Sequence, residues 1–118
     1  MYRWKKQPHR PICGQIAVAV IANCSIKKAI EVIGKDSYTT TKDLARGLRK
    51  LGFKCPSRLQ RLKEKPKLAI AKLKNHKYNW HWVVIIQDKI FDGKYGNKSG
   101  KVKWKKDWRI TSYLPIEK

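Results

Sequence analysis

Cys13-Gly14-Gln15-Ile16-Ala17-Val18-Ala19-Val20-Ile21-Ala22 decides the reading of this chain, because it sets a thiol at the mouth of a segment that is apolar on every side. Just ahead of it, Pro8 and Pro11 deny helix hydrogen bonds and bias the residues before them toward extended geometry, so a helix is expected to begin beside Cys13. Apolar residues all round, from Ile16 to Ile21, mark a helix buried on all sides rather than one lying on a surface. The start of such a helix is also a chemical position. A thiol attacks as the thiolate, and free backbone N–H groups with the helix dipole favour that negative charge. Gly14 leaves the backbone open for a carbonyl carbon to approach the sulfur. The plain alternative for an isolated cysteine is a buried structural role.

Outward from this segment the period stays helical. Ser25 is expected to cap a helix carrying Ile26, Ala29, Ile30 and Ile33 at three-to-four spacing, which Gly34 closes. Thr41 is expected to cap a third helix from Lys42 to Leu51, with Leu44, Leu48 and Leu51 as its stripe and Gly52 as its end. The second half reads differently. Branched and aromatic runs at 53–55, 68–73, 80–86, 90–92, 102–104 and 110–114 predict strands, while 58–67 and 93–100 read as loops. Helices first and strands afterwards predict an α+β fold.

The chain has 118 residues, which suits one domain spanning 1–118. Its formal net charge of +21 favours polyanionic or strongly acidic partners, although a lysine-rich solvated surface without a dedicated ligand fits the same count. Three cysteines, Cys13, Cys24 and Cys55, without close pairs, argue against a disulfide framework and a zinc ribbon, so at least one free thiol and no metal site are expected. No signal-like apolar stretch opens the chain, and the run from Ile16 to Ala22 is too short to span a bilayer. A cytoplasmic protein without a membrane partner is expected, and the oligomeric state is left open.

A nucleophilic thiol needs a base, and His81 stands between Trp80 and Trp82 at the head of the apolar run Val83 to Ile86. Without a catalytic task it would be a half-buried histidine at a strand end. A two-residue turn at Gln87 and Asp88 would pair His81 with Lys94 and bring Asp92 onto the same sheet face as a diagonal neighbour, within reach to orient the imidazole. Asp88 or Asn79 would serve if the register slipped by one residue. Gln7, six residues before Cys13, offers a side-chain amide to pair with the Cys13 N–H around an oxyanion, or is simply a surface glutamine. Gly14 and Trp80, flanking the nucleophile and the base, are the expected substrate-side positions.

These residues together resemble the papain-like cysteine peptidases, and most closely the bacteriocin-processing double-glycine peptidase family and its stand-alone relatives. The resemblance spans about residues 7 to 96 and rests on Gln7, Cys13-Gly14-Gln15-Ile16-Ala17, Thr39-Thr40-Thr41 leading into Asp43-Leu44 with Leu48 and Gly52, His81-Trp82-Val83-Val84, and Phe91-Asp92. Asp92 is followed by Gly93 where that family commonly has Pro. The resemblance implies a papain-like fold, with N-terminal helices packed on a C-terminal antiparallel sheet. It also implies the roles of nucleophile for Cys13, general base for His81, orienter for Asp92 and oxyanion donor for Gln7. Such chemistry needs no cofactor and acts on a polypeptide, here expected to be acidic. The same geometry serves glutamine deamidases and transglutaminase-like acyl transferases. The competing expectation is a catalytically lapsed scaffold that binds nucleic acid or an acidic or nucleic-acid-processing protein. Its surface would be Lys101, Lys103, Lys105 and Lys106, interleaved with Trp104 and Trp108, a pattern that also suits an edge strand protected by lysines.

Overall fold

The computed structural model describes residues 12–61, 64, 66–74, 81–87, 89–91, 101–102 and 109–118. Three helices precede five strands: α1 (Cys13–Ala22), α2 (Ile26–Ile33), α3 (Thr41–Lys50), β1 (Leu68–Lys74), β2 (His81–Ile86), β3 (Lys89–Phe91), β4 (Lys101–Val102) and β5 (Arg109–Pro115). The expected α+β class is therefore present. The strands form one antiparallel sheet in the order β4-β3-β2-β1-β5.

The apolar run of α1 does what its composition requires. Every residue from Gly14 to Ile21 is buried, and α1 packs against α2, α3 and β2. One core cluster joins Ile12, Ile16, Val18, Val20 and the helix residues Ala29, Ile33, Leu44 and Leu48 to Ile70, Trp82, Val84, Leu114 and Ile116 of the sheet side. A second cluster, Ala71, Leu73, Val83, Ile85 and Ile90, occupies the opposite sheet face. With both faces covered, β2 carries no polar residue after His81, which is why it reads as an unbroken apolar run.

Helix ends follow local chemistry. Ser25 Oγ accepts from the Lys28 N–H, and Gly34 ends α2 at φ +89°, a conformation other residues adopt only at a cost. The cap of α3 is Thr40 rather than Thr41, because Asp43 lies three residues after Thr40 and returns the bond. The Thr40 hydroxyl accepts from the Asp43 N–H at 3.2 Å, and an Asp43 carboxylate oxygen accepts from the Thr40 N–H at 2.8 Å. The run at 53–55 is not a strand: it contributes one bridge, Lys54 to Glu117, before Pro56 removes the next donor. A second bridge, Gln60 to Tyr113, lays the same connection along the outer side of β5 and covers part of that edge. Among the described residues no helix is long and apolar enough to cross a membrane.

Candidate active site

Cys13 is the first residue of α1 and is half-buried, flanked by the fully buried Ile12 on one side and Gly14 on the other. The end of α1 differs from those of α2 and α3 in one respect that matters for a nucleophile. Its N-cap, Ile12, has no side chain able to accept a hydrogen bond, whereas Ser25 and Thr40 cap the other two. The first helical bond is Ile16 N–H to Ile12 C=O, at 3.0 Å, so the N–H groups of Cys13, Gly14 and Gln15 lack helical partners. Among the described residues no side-chain cap meets these groups, so their positive backbone potential lies beside the sulfur.

The first turn rests on the connection between α2 and α3. A methyl group on Gly14 would overlap Thr39 Oγ1 and crowd Leu44, so glycine is required here for close approach rather than for backbone freedom. Gly14→Ala should therefore force the turn and Thr39 apart and lower stability by about 1–3 kcal/mol. A chemical-melting midpoint unchanged from wild type would contradict that packing. Gln15, fully buried, donates from Nε2 to the carbonyls of Lys35 and Ser37, each at 2.9 Å. Asp43 holds the same connection from its other side, through the Thr40 N–H and through Lys35 Nζ at 2.9 Å. Arg46 adds a bond to Asp43 at 2.9 Å and reaches the Ile33 carbonyl at the end of α2. Burial pushes the Asp43 carboxyl up. The Thr40 N–H, Lys35, the Thr40 hydroxyl and Arg46 together outweigh it and hold the group well below the usual carboxylate range.

His81 opens β2, is 4% exposed, and pairs with Leu73 of β1. Alternation along β2 sends Trp82 and Val84 to the face that meets α1, and His81 with Val83 and Ile85 to the other. A sulfur–imidazole pair therefore requires the ring to come round the opening end of the strand. Beside this end, β1 and β5 lose register between Lys72 and Leu73: Lys72 pairs with Ser112 and Leu73 with Ile110, leaving Thr111 as a bulge. Bulges locally increase twist and bend the strand that carries them, here β5.

The turn that was expected to set the acid is present. Val84 pairs with Phe91, Ile85 with Ile90 and Ile86 with Lys89, which is the two-residue register, and Gln87 takes φ +55° as the first turn residue. Asp92 itself lies outside the described residues, as do Gln7, Trp80, Asn79, Asp88 and Lys94. The same holds for Lys103, Trp104, Lys105, Lys106 and Trp108, while Lys101 is described only as the β4 partner of Phe91. No disulfide joins Cys13, Cys24 and Cys55. Burial pushes the Cys55 thiol up, with Arg49 offsetting part of it. Among the described residues no cluster of three or more metal-ligating side chains occurs. Sequence reading missed Gln15 and Thr39 as parts of the site. The available signal was a glutamine inside an otherwise apolar helix.

No protein-family model matches the chain, and no curated protein matches it.

Proposed function

We propose that this protein is a papain-like cysteine hydrolase, a peptidase in its main reading, that attacks an amide carbonyl with Cys13. The observation that carries the reading is a partly buried cysteine at the first position of a helix that is buried from Gly14 to Ile21 and whose N-cap residue, Ile12, makes no side-chain cap bond. In the proposed reaction His81 takes the Cys13 proton as the sulfur adds to the carbonyl carbon. The Cys13 N–H and the Gln7 amide hold the oxyanion, and Asp92 accepts the other imidazole N–H. Collapse expels the amine, which leaves with the proton from His81. Water, deprotonated by His81, then cleaves the thioester and releases the acid and the thiol. Attack on a glutamine side-chain amide would follow the same steps and give a deamidase. Trp80 flanks the base on the substrate side in this reading, while Gly14 is buried against Thr39 and Leu44.

The test is alkylation by iodoacetamide near neutral pH, followed cysteine by cysteine by peptide mass spectrometry. Cys13 should react at least about tenfold faster than Cys24 and Cys55. Equal rates for all three would remove the enzyme reading.

An acidic polypeptide is the proposed substrate. Lys74 and Arg109 are exposed and pair across β1 and β5 at the sheet end where His81 enters β2. Lys74 lies on an inner strand, so protection of a sheet edge does not account for it. The charge of +21 also favours a second reading, a lapsed scaffold that binds nucleic acid through Lys101 to Trp108. A glutamate-rich peptide should protect Cys13 from alkylation at low salt and lose that protection as salt rises. An oligonucleotide of equal charge that binds while the peptide does not would favour the second reading instead.

A further inference from the structure

Gln15 is the one polar side chain among the buried residues of α1, and it sits one residue beyond the glycine that follows the nucleophile. A buried amide in an apolar helix disfavours folding unless it is bonded, and this one is bonded only in part. Nε2 serves two carbonyls, whereas Oε1 has no partner, and neither has the buried hydroxyl of Thr39. Leucine at 15 and valine at 39 would avoid both orphaned atoms. Two unsatisfied groups on either side of Gly14 are a cost that packing alone does not explain.

Their placement supplies an explanation. Residues 13, 14 and 15 are in turn the nucleophile, the contact and the anchor. Gln15 fixes the connection at Lys35 and Ser37, and two residues further on Thr39 Oγ1 occupies the space that a side chain on Gly14 would need. Asp43 locks the far end of the same connection through Thr40 and Lys35. The connection thus works as a strap beneath the first turn of α1. Directional hydrogen bonds set the height of that turn along the helix axis, which apolar packing, able to slide, does not. We infer that Gln15 and Thr39 are positioning residues that fix the Cys13 sulfur for attack, an inference that rests on the cysteine-hydrolase reading above.

The experiment compares Gln15→Met, Thr39→Ala and Thr39→Ser in the full chain. For each, the rate of Cys13 alkylation by iodoacetamide is measured against pH, at a temperature where circular dichroism shows the variant folded. Gln15→Met and Thr39→Ala should slow alkylation near neutral pH by about tenfold, since a small displacement of a reacting atom is enough for that. Thr39→Ser keeps the hydroxyl against Gly14 and should stay within about twofold of wild type. A role confined to stability would instead lower the melting temperature of all three and leave the rate unchanged, and that result would overturn the inference. Should Gln15→Met fail to fold, the alanine and serine variants at Thr39 still decide it. Wild-type Cys13 reacting no faster than Cys24 and Cys55 is a different failure, that of the hydrolase reading, and it takes this inference with it.

Discussion

Replacing His81 by alanine should lower acyl transfer from p-nitrophenyl acetate to Cys13 by about 10²–10⁴-fold, the range for losing a positioned general base. The release of p-nitrophenol measures it, and Cys13→Ala sets the floor. The size of the effect follows from where each group stands. The sulfur has backbone N–H groups beside it but no side-chain base among the residues of its own helix, so the proposed proton transfer needs a residue delivered by the sheet. His81 is the histidine that the described sheet supplies, held by pairing with Leu73 beside the Thr111 bulge. A buried ring also fills space, so the same variant loses stability, and imidazole added in solution separates the two effects. Recovery of part of the rate by free imidazole marks a missing base, because packing lost from the strand is not restored that way. A His81→Ala protein that turns over as fast as wild type would exclude the base assignment.

The largest effect on stability is expected at Asp43. Its carboxylate completes the capping box of α3 and ties both ends of the α2–α3 connection through Thr40, Lys35 and Arg46. Losing a cap costs about 1 kcal/mol, and hydrogen bonds to a charged group about 1.5–3 kcal/mol. Lys35 and Arg46 are more than a third exposed, so their pairing is screened and adds little. Asp43→Ala should therefore destabilise the chain by roughly 3 kcal/mol, a fall in melting temperature on the order of 10 °C. The pH dependence has a definite sign. The folded carboxyl ionises at lower pH than the unfolded one, so its contribution is complete above about pH 4 and is lost as pH falls below that. Acid titration of the denaturation midpoint should show that loss in the wild type and much less of it in Asp43→Ala. An equal acid loss in both proteins would show that the contacts of Asp43 contribute nothing net.

The helical half of the fold is legible because α2 and α3 carry their own caps and α1 carries an unbroken apolar run. Ser25 and Gly34 bracket α2 by local bonds, and the burial of α1 is written in six consecutive apolar residues, Ile16 to Ile21. The one-residue error at the third cap has a physical source: three successive threonines offer the same hydroxyl, and only the returning bond from Asp43 selects Thr40. The hairpin of β2 and β3 is legible because side chains alternate with a period of two, so a two-residue turn leaves a single pairing consistent with Val84 opposite Phe91. The run at 53–55 misled because branched and aromatic content indicates a suitable surface but not a partner, and only Lys54 finds one. The grip of Gln15 on Lys35 and Ser37, and the contact of Thr39 with Gly14, join residues twenty or more positions apart, which no local pattern encodes. The bulge at Thr111 is equally hidden, since it depends on how β5 meets β1.

The account stands on Cys13 and His81 being neighbours in the folded chain, and cross-linking with 1,3-dibromoacetone tests that directly. Its three-carbon bridge joins a sulfur to a ring nitrogen only when the two are adjacent. Peptide mapping should find Cys13 joined to His81 in the native protein and not after unfolding in denaturant. Cys13 alkylated once and left unbridged, or bridged to His9 or His76, would contradict the pairing and with it the proposed chemistry.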